Sequence, residues 1–231
     1  MIRKLSLIST AVLLLAVGAT FAGTGDKLEY GETKYDFGNI GIDYTGYYNF
    51  PIYNPGATPV KIKGAGASCD CSRVSVRDTL IEPGDTVYVR LSYSTRNFRG
   101  PTMQTFTVET DNPRTPAITV QYSSVVGQWV EGVKPDPLSL FFLPGQKPKD
   151  ITIANPMFSK MTATYLDQAD TLYTVKVVND KAGKGDDIKI EVAPHEGIAA
   201  GTYDSSFRVQ VEVTNIEQPI ILTIPVKIVR Y

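Results

Sequence analysis

The chain has 231 residues, with 23 Lys and Arg against 24 Asp and Glu, one His, two Cys and a formal net charge of −1. So balanced a charge offers no basic field for nucleic acid, and a single histidine removes the usual zinc constellations. A hydrophobic content of 42% is enough to build packed cores.

Arg3 and Lys4 precede an apolar run from Leu5 to Ala19, followed by Thr20-Phe21-Ala22. This reads as a secretory signal peptide over residues 1–22, cleaved after Ala22 with Thr20 at the small −3 position. The run is shorter than the roughly 20 residues of a spanning helix, and Gly23-Thr24-Gly25-Asp26 follows at once. The mature chain is therefore expected to be exported, periplasmic or extracellular, with no transmembrane segment. No cysteine precedes Cys69, so lipid attachment at the cleavage site is not expected. Cleavage removes two cations, leaving 21 Lys and Arg against 24 Asp and Glu and a net charge of −3.

From Tyr35 onward, apolar and polar residues alternate in short runs separated by Gly, Pro, Asn and Asp, the period of half-buried strands. Strands are expected at Tyr47 to Tyr53, Val60 to Ala65, Val87 to Tyr93, around Phe106 and Val108, and at Ile118 to Val126. Turns fall at Asn54-Pro55-Gly56, Glu82-Pro83-Gly84-Asp85, Asn97 to Pro101 and Asp111-Asn112-Pro113. Further strands follow at Ile151 to Ile153, Tyr173 to Val178, Ile188 to Val192, Phe207 to Val213 and Ile220 to Val229. Pro225 assigns the last one to a sheet edge or a bulge. No helix is expected in the mature chain.

Two stretches recur at a spacing of about one immunoglobulin-like domain. Ile52-Tyr53-Asn54-Pro55 matches Ile153-Ala154-Asn155-Pro156, and Val108 to Asn112 matches Val211 to Asn215. The expected fold is all-β: two tandem immunoglobulin-like antiparallel β-sandwich domains, 23–127 and 128–231. Trp129, the single tryptophan, lies at the boundary and is expected to plug the interdomain contact.

Within residues 35–127, Tyr35-Asp36-Phe37-Gly38-Asn39-Ile40, Tyr53-Asn54-Pro55-Gly56, Ser68-Cys69-Asp70-Cys71-Ser72 and Ile81-Glu82-Pro83-Gly84-Asp85 occur in that order. This order resembles a bacterial family of exported domains of unknown function, similar in fold to the Hydin, ASH and major-sperm-protein modules. That family reads Ser-Cys-Gly-Cys-Thr at the cysteine pair, where this chain has Asp70 and Ser72. The resemblance implies an immunoglobulin-like fold and an exported setting, and no reaction.

Cys69 and Cys71 are the one place where special chemistry is arguable. An exported protein with two cysteines defaults to a disulfide, yet i and i+2 side chains on a flat strand stand too far apart to bond. A bridge needs a bent backbone, which Asp70 permits because aspartate tolerates left-handed geometry. The alternative is a pair of thiolates for a soft ion such as copper(I), helped by Met103 or a second molecule, or for redox work. No other cofactor is expected.

The remaining candidates have plainer readings. His195 in Pro194-His195-Glu196-Gly197 reads as an exposed turn. Asn179-Asp180 and Asp186-Asp187 flank a Lys-containing hairpin whose charge opposes calcium. Tyr44, Tyr47, Tyr48 and Tyr53 are either good strand formers or an aromatic surface for a glycan. Asp78-Thr79-Leu80, Asp85-Thr86-Val87 and Asp170-Thr171-Leu172 resemble an O-glycosylation acceptor, marking Thr79, Thr86 and Thr171. No nucleophile elbow or phosphate loop is present. The expected role is a non-catalytic interaction or scaffold protein with a protein partner in the cell envelope. Thiol-based copper or redox handling is the alternative, and glycan binding comes third.

Overall fold

The structure is a computed structural model that describes residues 26–155, 157–167 and 170–231; the expected signal peptide lies outside them. Among the described residues, nine strands precede residue 127: β1 (Glu29–Tyr30), β2 (Lys34–Ile40), β3 (Thr45–Tyr53), β4 (Val60–Ala67), β5 (Ser72–Val76), β6 (Leu80–Ile81), β7 (Thr86–Ser94), β8 (Gly100–Thr110) and β9 (Ala117–Val126). Nine follow it: β10 (Pro135–Asp136), β11 (Leu140–Phe142), β12 (Lys149–Ala154), β13 (Met161–Tyr165), β14 (Tyr173–Asn179), β15 (Lys181–Ala182), β16 (Asp187–Pro194), β17 (Gly201–Val213) and β18 (Ile220–Arg230). A single 3-10 turn, Val130–Gly132, separates the two sets among the described residues.

The connectivity of the first nine strands recurs in the second nine. One sheet runs β1-β3-β7-β5 and its counterpart β10-β12-β16-β14. Likewise β4 pairs with β6 and β8 as β13 pairs with β15 and β17, and β2 runs parallel to β9 as β11 runs parallel to β18. The alternation in the sequence explains the layering: Val87, Val89, Leu91 and Tyr93 of β7 all point inward. Each set encloses its own core, one around Phe37, Phe50, Phe106 and Tyr122, the other around Phe142, Ile190, Phe207 and Leu222.

The repeated asparagines, Asn54 and Asn155, occupy equivalent places in the two halves. Asn54 and Asn155 are each 1% exposed. The Asn54 side chain donates to the carbonyls of Thr58 and Ile81, and that of Asn155 to those of Phe158, Ala182 and Gly183. Their carbonyls accept from Gly84 and Gly185 in turn. Burial of an amide with its partners in place makes each a structural plug.

The two halves share one ten-stranded sheet, joined where Leu222 of β18 lies beside Asn39 of β2. Gly38 makes this approach feasible. It sits in a bulge of β2 at φ +61°, and an added Cβ would overlap the carbonyl oxygen of Ile221. Beside it, the Thr223 hydroxyl donates to the Phe37 carbonyl. Arg208 completes the junction: its guanidinium stacks 4.0 Å above the Tyr35 ring, bonds Asp167 at 2.8 Å and donates to the Asp36 carbonyl.

One expectation needs correcting. Pro225 is buried within β18, an interior strand, opposite Ser206 of β17. Its missing N–H falls where β18 exchanges one neighbour, β2 at Leu222, for another, β11 at Val226, so the ladder loses little there. Trp129 is half-buried and packs against the C-terminal core. The strands of the two halves meet through β2 and β3 against β17 and β18.

Candidate functional site

Cys69-Asp70-Cys71 forms the turn by which the chain leaves β4 in one sheet and enters β5 in the other. The turn closes with the Ser72 N–H donating to the Cys69 carbonyl, and the two cysteine Cα atoms stand 5.2 Å apart, bridged through sulfur. Asp70 is exposed and does not have a positive φ, so the bend is made without the left-handed residue expected there. That also explains why Asp serves where the resembled family has Gly: the backbone places no demand on the side chain.

The turn is pinned on both flanks. Ser68 exchanges bonds with Thr105 of β8, and the Ser94 N–H of β7 donates to the Cys71 carbonyl at 2.8 Å. Ser72 lies beneath both sulfurs, 3.8 Å from Cys69 Sγ and 3.7 Å from Cys71 Sγ, and its hydroxyl meets the Tyr122 hydroxyl at 2.6 Å. Burial raises the pKa of Tyr122, and its Ser72 bond opposes the shift. Met103 is 63% exposed on β8, and no cluster of three or more metal-ligating side chains occurs among the described residues.

The equivalent turn in the second repeat has no sulfur. Asp170 accepts from the Leu172 N–H and from the Ser205 hydroxyl, each at 2.8 Å, and Ser205 meets the Tyr173 hydroxyl at 3.1 Å. The His195 N–H donates to the Leu172 carbonyl, just as Ser94 does to Cys71. Asp170 thus holds the entry to β14 by hydrogen bonds at the place where the first repeat carries its cysteine pair.

The tyrosines that an aromatic surface for a glycan would require are divided. Tyr48 turns inward and stacks on Tyr35 at 3.8 Å, while Tyr47 faces outward beneath Arg90. His195 borders an open hollow of about 600 Å³ with Glu196 and Arg230, and its ring nitrogen Nε2 lies 3.1 Å from the Asp170 carbonyl. Thr79, Thr86 and Thr171 are all exposed, and the first two line a second open hollow of about 460 Å³. In the Lys181-containing hairpin, Asn179 donates to the Asp187 carbonyl, and Asp186 accepts from Gly183.

Which strands form the open sheet edges was not legible in the sequence, and no strand was expected at β5. β5 and β14 occupy the ends of their sheets, each paired on one side only. In β5 the Ser94-to-Cys71 bond sets the phase of the antiparallel ladder, so Val74 and Val76 direct their N–H and C=O groups away from β7 into solvent. The alternation of Arg73-Val74-Ser75-Val76 was the signal, too short to stand out beside the longer runs.

Residues 28–126 match the family model DUF1573, a protein of unknown function. The match begins at Leu28 of the first core and ends with β9, taking in the Cys-x-Cys turn. No curated protein matches the chain. Among solved structures, the ASH/PapD-like domain 7 of human CEP192 is 17% identical at a TM-score of 0.39, covering 54% of this chain and all of that one. A Porphyromonas gingivalis W83 protein of unknown function is 14% identical at 0.33, covering 88% of this chain and 99% of that one. The YadV chaperone is 12% identical at 0.32, covering 86% and 98% respectively. Likeness at this level carries no argument about role.

Proposed function

We propose that the protein is an exported, non-catalytic interaction or scaffold module of the cell envelope, built as two immunoglobulin-like domains that divide near Gly127. The observation that carries this reading is the pair of sheet ends, β5 and β14, each paired on one side only. The junction between the halves buries the edge of β3 instead, so the fixed arrangement selects which edges face a partner. Unpaired strand edges are ready sites for association. In gently solubilised envelopes the protein should migrate well above the mass of a single chain, with a partner in fixed ratio. Migration as a free monomer at native abundance overturns the reading.

A second reading, thiol chemistry at Cys69 and Cys71, is favoured by the sulfur-free turn at Asp170. A crossover that closes without a bridge in one repeat leaves the bridge of the other free to serve something besides folding. As a disulfide the pair offers no thiolate; reduced by a dithiol, it presents two thiolates above Ser72. Retention of copper(I) by the reduced protein against a competing chelator supports this reading, and failure to retain it removes the metal role.

A further inference from the structure

The β5 and β14 edges are topological equivalents, yet they differ. β14 carries exposed Lys176 and a register shift between Val177 and Asn179, devices that discourage strand pairing. β5 keeps an unbroken register from Ser72 to Val76, and its first residue is held by the Cys69–Cys71 turn. Its inward residues, Val74 and Val76, are only partly covered and pack on the rim of the N-terminal core. Arg73 and, just past the strand, Arg77 are exposed, and neither forms an ion pair among the described residues.

We infer that β5 receives an extended segment of a partner protein that alternates apolar and acidic side chains. The segment adds as a fifth strand to the β1-β3-β7-β5 sheet, bonding the outward N–H and C=O groups of Val74 and Val76. Its apolar residues extend the core beside those valines. Its carboxylates face Arg73 and Arg77 on the solvent side, and the charge complementarity selects it over a basic or neutral strand. The Cys69–Cys71 turn contributes by fixing the start of the receiving strand before the partner arrives, which lowers the ordering cost of binding. This inference rests on the interaction-module reading and names the edge and chemistry it uses.

The test uses the mature full chain and a fluorescent heptapeptide, Val-Asp-Val-Asp-Val-Asp-Val, with a Val-Lys counterpart. Anisotropy should show the acidic peptide binding at least tenfold more tightly than the basic one, and Arg73→Glu with Arg77→Glu should reverse that order. Hydrogen exchange of the complex should slow at the Val74 and Val76 amides. Both substitutions are at exposed positions, and an unchanged thermal midpoint confirms that the variant folds. No binding, equal binding of both peptides, or protection confined to β14 overturns the inference. A partner cross-linked in the envelope through a surface other than β5 also overturns it, while leaving the interaction-module reading intact.

Discussion

The hydroxyl of Ser206 in β17 binds both backbone groups of Tyr47 in β3, accepting from its N–H at 2.8 Å and donating to its C=O at 3.2 Å. A side chain from one half thus stands in for the neighbouring strand that β3 lacks beyond the two-residue β1. Ser206→Ala leaves both Tyr47 groups without that partner. The expected loss is about 1 to 2 kcal/mol, read from the urea midpoint. An unchanged midpoint would show that water replaces the hydroxyl at no cost.

Gly38 tests the junction from the other side. Gly38→Ala asks an L-residue to adopt φ +61° while its Cβ meets the Ile221 carbonyl, so one half has to withdraw. The variant should lose more than about 1 kcal/mol, and its thermal unfolding should separate into two transitions as the halves uncouple. A single sharp transition at the original midpoint would mean that the shared sheet does not couple them.

The long alternating strands and the Asn54/Asn155 repeat were legible in the sequence because each is a local pattern enforced by a local cause: one buried face, or one buried amide. The second recurrence was less faithful, since Asn112 is buried and caps its turn whereas Asn215 is exposed at φ +70°. The junction was not legible. Arg208, Asp167 and Tyr35 are far apart in sequence, and nothing local marks Arg208 as anything but an exposed strand residue. Pro225 misled for a related reason: the rule that sends proline to an edge assumes one continuous neighbour, and here the neighbour changes at that residue. At the cysteine pair the need for a bend was readable, but the turn that supplies it was not, because it depends on the pins from Ser94 and Thr105.

Buried phenols give the fold a pH limit. Burial raises the pKa of Tyr48 from 10.0 to about 12, and desolvation also raises those of Tyr35, Tyr122 and Tyr173. A raised phenol favours the proton in the folded state, so its contribution is complete below the unfolded value of 10.0 and declines as pH rises toward the folded one. For Tyr48 that window runs from pH 10.0 to about 12. Stability should fall across it, and ultraviolet titration should show fewer phenolates in the native than in the urea-unfolded protein at the same pH. Equal titration of the two states would refute the shift.

Replacing both cysteines weighs the bridge against its hydrogen-bonded counterpart. Cys69→Ser with Cys71→Ser removes a link that closes a very short loop, so little chain entropy is at stake. The Ser72 N–H bond to Cys69 and the Ser94 N–H bond to Cys71 are both made to backbone carbonyls and survive the change. The loss should therefore lie at the low end of the roughly 0 to 5 kcal/mol spanned by disulfides. Asp170→Ala removes acceptors from the Leu172 N–H and from Ser205, a residue only 5% exposed, and should cost about 1 to 3 kcal/mol. The order of the two losses is the informative result. If the cysteine pair costs less than Asp170, selection for stability alone does not account for the bridge, and its value lies in presenting β5 or in thiol chemistry. Slow reaction of the native protein with thiol reagents after mild dithiol treatment, together with weakened peptide binding in the double serine variant, would assign it to β5.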